Sequence, residues 1–419
     1  MTELVPRSEL LRVTLSWDKN NVQPVGRLGY INRVAHFEYN DDFRSAGLEI
    51  SPIRHRVPAG SATIPPYDIG IFEGLHGVFH DSLPDSWGRL LVDRRARELG
   101  INPASLTPID RLAWVGNRGI GALCYEPAID VWNESHSALD LNLLASDARA
   151  VLDGKASDVI AELGQLGGSP GGARPKAMIA IDTNDGAIYG PTKADDKFQH
   201  YLVKFRGAED PIDAANIEKA YAEMAGAAGV NVPVTRLISD VKGSHYFVSQ
   251  RFDRVGSERV HTHSASGLLY ADFRLPSLDY RDLIALTRAL TRDHREVVAM
   301  FTLAVFNALA HNRDDHARQF SFLMSPSGEW KLAPAYDLTF SPGPGGEHST
   351  SILGRGRHIA YEDLLTLGKS ADLENVASAT VIERVASAVA DWDRFARDWD
   401  VGVSSRTRIG TTLASSRAL

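Results

Sequence analysis

Lys204, Asp314, Gln319 and Asp337 have types and spacings that could do chemistry together. Lys204 interrupts the apolar run Tyr201-Leu-Val-Lys-Phe205. Such a lysine either points to water from an edge strand or is held in a cleft, where an ammonium binds phosphate oxygens. Glu218 follows on the next expected helix and is a natural partner to orient the amine. Asp314 lies in Asn312-Arg-Asp-Asp-His-Ala-Arg-Gln319. An aspartate with an amide residue five positions on repeats the spacing of a kinase catalytic loop. There the aspartate accepts a hydroxyl proton and the amide residue holds a metal. The alternative is a polar loop in which Asp315 and His316 make local turn hydrogen bonds. Asp337 stands 23 residues after Asp314, just past an apolar strand. It could take Mg²⁺, which prefers oxygen ligands and keeps waters, or it could be an N-cap or turn aspartate.

These groups need rigid elements behind them. The helix expected over 295–310 has Val298, Phe301, Val305 and Leu309 at helical spacing, so it is buried and stiff, and it runs straight into the Asp314 loop. Upstream, Gly164-Gln-Leu-Gly-Gly-Ser-Pro-Gly-Gly172 is glycine-rich and can wrap phosphates with its backbone N–H groups. It is neither a Walker A motif nor a Rossmann fingerprint, because a hairpin rather than a helix follows. A surface linker is its plainer reading. Strands are expected at 177–181, 201–205, 234–238 and 245–250, with a hairpin turn at 183–186 and a helix at 214–228. Near the N-terminus, Leu11, Val13 and Leu15 alternate with polar residues, and 26–30 and 35–39 read as further strands. Helices are expected at 87–99, 110–115 and 281–290, and strands at 320–324 and 330–332.

Glycine loop, lysine strand, glutamate helix, two strands, then a helical half bearing Asp314, Gln319 and Asp337 is the part order of a two-lobed kinase. The expected fold is α+β. A mixed α/β N-terminal part with antiparallel sheets precedes an all-α C-terminal lobe. Three units are expected: 1–135, 136–252 and 253–419.

Composition narrows the remaining classes. Of 419 residues, 43% are hydrophobic and 23% charged, which excludes disordered, collagen-like and coiled-coil chains. The single cysteine, Cys124, excludes a disulfide framework and a cysteine zinc cluster, and suits a reducing cytoplasm. No secretory signal and no membrane span are expected. A net charge of −8 makes a large DNA-gripping face on this chain unexpected. Three other features have bland readings. Arg94, Arg95 and Arg97 read as a solvated helix face, His261-Thr-His263 as a polar loop or strand, and Ser264 as a helix cap.

Seven stretches resemble the HipA family of serine/threonine kinases, the toxin halves of bacterial toxin–antitoxin pairs. They are Asp81-Ser-Leu-Pro-Asp-Ser-Trp-Gly-Arg89, Val115-Gly116 with Ile120-Gly-Ala122, Ser169-Pro-Gly-Gly-Ala-Arg-Pro-Lys176, Tyr201-Leu-Val-Lys-Phe205, Arg251-Phe-Asp-Arg254, Asn307-Ala-Leu309 with Arg313-Asp-Asp-His316, and Ala335-Tyr-Asp-Leu338. The resemblance implies ATP and Mg²⁺ as cofactors. It implies Asp314 as general base, Asp337 and Gln319 as metal ligands, and Lys204 on the ATP phosphates. Pro170, Gly171, Gly172, Ala173, Arg174, Pro175 and Lys176 would cover those phosphates. Gln250, Arg251 and Phe252 would form the hinge beside adenine, with His316, Ala317, Arg318, Gln319 and Tyr336 around the nucleotide. Ser169 would be autophosphorylated, and its added charge would expel the loop. The implied partners are a HipB-like antitoxin dimer, operator DNA mainly through that dimer, and a protein substrate such as an aminoacyl-tRNA synthetase.

Two departures stand out. The family usually has Asn at position 319, and Pro170 stiffens the chain after Ser169. A small-molecule kinase would carry the same parts, and a pseudokinase that only binds the antitoxin is favoured by Gln319.

Overall fold

The computed structural model describes residues 8–60, 63–84, 86–132, 137–154, 160–167, 172, 174–191, 195–240 and 243–416. Two five-stranded antiparallel sheets organise the first 250 residues. The first has strands β1 (Leu10–Ser16), β2 (Val22–Ile31), β3 (Val34–Tyr39), β4 (Thr63–Ile64) and β5 (Leu123–Glu126), in the order β4-β3-β2-β1-β5. Leu11, Val13 and Leu15 are fully buried on one face of β1, as their alternation requires.

The second sheet holds β6 (Lys176–Asp182), β7 (Ile188–Tyr189), β8 (Phe198–Lys204), β9 (Thr235–Ser239) and β10 (His245–Gln250), in the order β7-β6-β8-β10-β9. Lys204 therefore sits on the central strand, and the edge-strand alternative falls away. The helix Ala214–Ala227 packs against β9 and β10. One expectation needs correction here. Gly164 to Gly167 do not belong to a loop; they end the helix Ile160–Gly167. Leu163 and Leu166 are buried in the second sheet's core, and that packing outweighs the low helix propensity of glycine. Gly164 is required rather than tolerated, because a Cβ there would stand 1.9 Å from the Trp132 ring.

Beyond residue 252 the chain is mainly helical, built on Tyr280–Thr291, His294–Leu309, Tyr361–Ser370, Asn375–Ala390, Trp392–Asp398 and Val403–Ser416. A capping box of Asp279 and Asp282 starts the first of these. This half is not all-helical: His261–Ser264, Ser321–Met324 and Trp330–Leu332 form a three-stranded antiparallel sheet. His261 and His263 lie on that sheet fully buried, not in a polar loop, and Ser264 caps the helix Ala265–Leu269. Arg97 is exposed as expected, whereas Arg95 is tied down, donating to the Val131 carbonyl at 2.6 Å. A single hydrophobic core joins the first sheet to the helical half, running from Leu11 and Phe37 through Tyr221 to Phe301 and Val385. The second sheet has a separate core around Ile179, Tyr201 and Val203.

Candidate active site

The inner face of the second sheet builds one wall of a cleft. Lys176 and Lys204 are direct cross-strand partners, and so are Met178 and Leu202 two residues along. Phe247 opposes Lys204 on β10, and Ser249 opposes Leu202. Period-2 alternation thus places two ammonium groups and Phe247 at one end of the face and Met178, Leu202 and Ser249 at the other. All six residues line the cleft. Paired lysines on neighbouring strands repel each other unless anions sit between them.

Two such anions, from two different elements, meet at Lys204. Lys204 Nζ donates to Glu218 Oε2 at 2.5 Å and to Asp337 Oδ1. Arg174 Nη1 donates to Glu218 Oε1 at 2.6 Å, and Arg174 also pairs with Asp210 at 3.0 Å. Gln319 Nε2 donates to Asp337 Oδ2 at 2.9 Å. Burial alone would raise the Asp337 pKa. The Lys204 and Lys176 charges and the hydrogen bonds outweigh it and hold the carboxylate well below the usual range. Burial would likewise lower the Lys204 pKa, and Asp337 and Glu218 reverse that, keeping the amine charged. Asp337 adopts φ +58°, a left-handed conformation that aspartate tolerates better than most residues. It is neither an N-cap nor a simple turn residue.

The loop carrying Asp314 is fixed from behind by its neighbour. Asp315 is fully buried and accepts hydrogen bonds from Tyr280 Oη (2.8 Å), His348 Nδ1 (2.9 Å) and the backbone N–H of Ser349 (2.8 Å). These Asp315 bonds are long-range anchors, whereas His316 Nδ1 accepts a local turn bond from the Arg318 N–H at 3.3 Å. Asn307 and Asn312 extend the network, with Asn312 Nδ2 donating to Asn307 Oδ1 at 3.0 Å. Asp314 itself reaches solvent beside the cleft. The protein massed around it raises its pKa, His316 and Arg174 lower it, and the Asp337 and Asp315 charges raise it; the net direction is up.

Gly172, Gln250, Arg251, Phe252, His316, Arg318 and Tyr336 line the same cleft. Phe252 and Tyr336 face each other with ring centroids 5.6 Å apart. Ala317 is buried beneath, and Arg174, Pro175 and Glu218 support the wall from outside. Ser169, Pro170, Gly171 and Ala173 lie outside the described residues. For magnesium, the donor set fits in part. Asp337 supplies one hard oxygen, which suffices for an ion that keeps several waters. Gln319 turns its amide nitrogen to Asp337, and its oxygen would face a metal only after the amide rotates.

Three cleft features escape a reading of spacing. Asp81, Ser82 and Ile120 come from the first 126 residues and line the far end. Arg251 clamps Asp253 through two bonds of 2.9 and 2.7 Å. Asp253 in turn accepts from the Gly121 N–H at 2.8 Å, and Arg254 donates to the carbonyls of Gly119 and Gly121. The glycine-spaced turn at 116–121 is thus a clamp between the first sheet and the hinge. Only the quoted motifs containing Asp81 and Asp253 could have signalled these roles.

An antiparallel sheet with paired lysines, a helix supplying Glu218 and a helical half supplying Asp314 and Asp337 define a two-lobed, kinase-like fold carrying an added N-terminal sheet. The family can be stated more narrowly. Residues 168–392 match the HipA-like C-terminal domain and residues 19–126 the HipA N-terminal domain, so the chain belongs to the HipA family. It is 25% identical over 365 residues to "Putative kinase Y4mE" of Sinorhizobium fredii (strain NBRC 101917 / NGR234), spanning 81% of this chain and 76% of that protein. It is also similar to a chain in the Shewanella oneidensis MR-1 toxin–antitoxin complex of HipA, HipB and operator DNA. The TM-score is 0.69 at 16% identity, over 97% of this chain and 96% of that one. At that identity the likeness speaks for the fold alone.

Proposed function

We propose that this protein is an ATP- and Mg²⁺-dependent serine/threonine protein kinase and the toxin of a HipBA-like pair. The observation that carries the reading is the junction of Lys204, Asp337 and Gln319 in one cleft, with Glu218 behind Lys204 and Asp314 on the loop that its neighbour Asp315 anchors. Lys176 and Lys204 bind phosphate oxygens, and Glu218 fixes the Lys204 amine. Asp337, with Gln319 after amide rotation, holds Mg²⁺, which when bound neutralises charge on the phosphates. Asp314 accepts the acceptor hydroxyl's proton as that oxygen bonds to the γ-phosphorus and the β–γ bridging bond breaks, releasing ADP. Its raised pKa makes it a better base than a fully hydrated aspartate.

Family membership supports a HipB-like antitoxin dimer as partner. With a net charge of −8 on this chain, operator DNA is contacted mainly through that dimer. The substrate class that the resemblance implies is a translation component such as an aminoacyl-tRNA synthetase. Among the described residues no helix is long and apolar enough to cross a membrane, and the cytoplasm is the compartment proposed. Ser169 is the proposed autophosphorylation site.

The test is incubation with Mg²⁺ and γ-labelled ATP beside an Asp314→Asn variant, followed by mass mapping. Label in the wild type alone, on Ser169, is expected. Label on another residue, again lost in the variant, keeps the kinase and removes Ser169. ATP binding with no transfer to the protein or to a cell lysate turns the reading to the pseudokinase that Gln319 favours.

A further inference from the structure

The cleft does not stop at the hinge. Beyond Phe252 it continues to Asp81 and Ser82 on the N-terminal part of the chain. Asp81 is held with unusual thoroughness for a residue outside the lysine–aspartate network. Its Oδ2 accepts from His263 Nδ1 at 2.6 Å and from the Ser264 N–H at 2.7 Å, and its Oδ1 accepts from Ser264 Oγ at 2.7 Å. His263 is braced in turn, its Nε2 lying 3.0 Å from Ser51 Oγ. Aspartate, histidine and serine form a chain of the kind seen in hydrolases. Ser51 is fully buried, however, so no substrate reaches it. The chain instead fixes the Asp81 carboxylate.

A carboxylate offers about four acceptor positions, and three of those on Asp81 are filled. The fourth belongs to Oδ1, and the side chain keeps 13% of its exposure while lining the cleft. Burial would raise the Asp81 pKa, but His263, then Arg318 and Ser264, bring it down to about 2, so the group is ionised at neutral pH. Its place along the cleft follows from its neighbours. Ser264 is the cross-strand partner of Ser321, and Ser321 Oγ is 2.7 Å from Tyr336 Oη. Tyr336 faces Phe252. Asp81 thus stands behind the aromatic pair, linked to it through Ser264 and Ser321. The cleft thus holds two lysines suited to phosphates and, beside an aromatic pair suited to a base, a fixed anionic acceptor.

We infer that Asp81 is a specificity-determining residue that accepts a hydrogen bond from the exocyclic amino group of the nucleotide's base, selecting a 6-aminopurine over a 6-oxopurine. The inference rests on the nucleotide-binding reading above. It gives the N-terminal part of the chain a direct role in choosing the phosphate donor.

The full-length protein with Mg²⁺ is titrated calorimetrically with ATP, with purine riboside triphosphate lacking the 6-amino group, and with inosine triphosphate. A hydrogen bond to a charged group predicts that losing the amine weakens wild-type binding about tenfold or more. In Asp81→Asn, the two donors at the Oδ2 position draw the amide oxygen there and leave an NH₂ facing the cleft. That variant is expected to bind inosine triphosphate at least as tightly as ATP. If ATP binds and deamination changes affinity less than twofold, or the folded variant keeps the wild-type preference, the role of Asp81 is overturned and the nucleotide site stands. If no nucleotide binds, both fall. Should the variant not fold, a structure of the wild type with ATP decides: an amino nitrogen beyond about 3.5 Å from Asp81 Oδ1 overturns the inference.

Discussion

Glu218 is the residue on which the cationic side of the cleft depends. It is 3% exposed and serves two cations at once, Lys204 through one oxygen and Arg174 through the other. Lys204 has no exposed route by which water could replace it, being 8% exposed itself. Removing one partner of a buried ion pair leaves an uncompensated charge, which costs about 3–5 kcal/mol. Asp337 remains as a second partner for Lys204, so Glu218→Gln is expected near the lower end, about 3 kcal/mol, read from the urea midpoint at constant slope. If Lys204 grips phosphate as proposed, in the ground state and the transition state alike, the kinetic effect should fall on KM for ATP more than on kcat. An unchanged midpoint would mean that Asp337 holds Lys204 without Glu218.

The elements around the cleft owe their positions to a few close approaches. The Gly116–Gly121 turn is the clearest. Gly121 has φ +78°, its N–H donates to Asp253, and a Cβ there would stand 2.9 Å from the Thr262 backbone nitrogen. Gly47 has a similar φ of +72° but nothing within 4 Å of its missing Cβ. Both alanine variants carry left-handed strain, about 1–3 kcal/mol. Only Gly121→Ala must also move the strand that bears His263 and Ser264. It should therefore lose clearly more stability in urea than Gly47→Ala, and equal losses would dissolve the clamp. Elements of this kind were partly legible in advance. Alternation exposed β1, helical spacing exposed the helix His294–Leu309, and a lysine in an apolar run exposed β8, because each pattern is local. The helix Ile160–Gly167 was hidden by its two glycines, since its stability comes from packing on the second sheet. The role of Asp81 was hidden because its partner His263 lies 182 residues away, and no local pattern encodes such a pairing.

At the scale of the whole molecule, the seam between the first sheet and the helical half is lined with buried histidines. His55 and His76 lie with ring centroids 4.3 Å apart and planes tilted by 53°, and His261 Nε2 lies 2.9 Å from the Ile50 carbonyl. Burial lowers the pKa of His76 from 6.5 to about 4 and that of His261 from 6.5 to about 4, and pushes His55 down too. The sign follows from linkage. Above pH 6.5 neither the folded nor the unfolded state protonates these rings. Between 6.5 and about 4 the unfolded state binds protons that the folded state refuses, so stability falls as pH falls. At 1.36 kcal/mol per pKa unit, His76 and His261 each withdraw roughly 3 kcal/mol across that window. Two such losses rival the whole stability of an ordinary domain, about 5–15 kcal/mol. The carboxylates with depressed pKa values, Asp81, Asp253 and Asp337, act in the same direction but only below their ordinary value of 3.8. The urea midpoint should therefore drop steeply between pH 6.5 and 4, before Asp81, Asp253 and Asp337 titrate. A His76→Gln, His261→Gln double variant is expected to be less stable at pH 7 yet to show a much flatter decline through the same window. Parallel curves for the variant and the wild type would place the acid sensitivity elsewhere than in this seam.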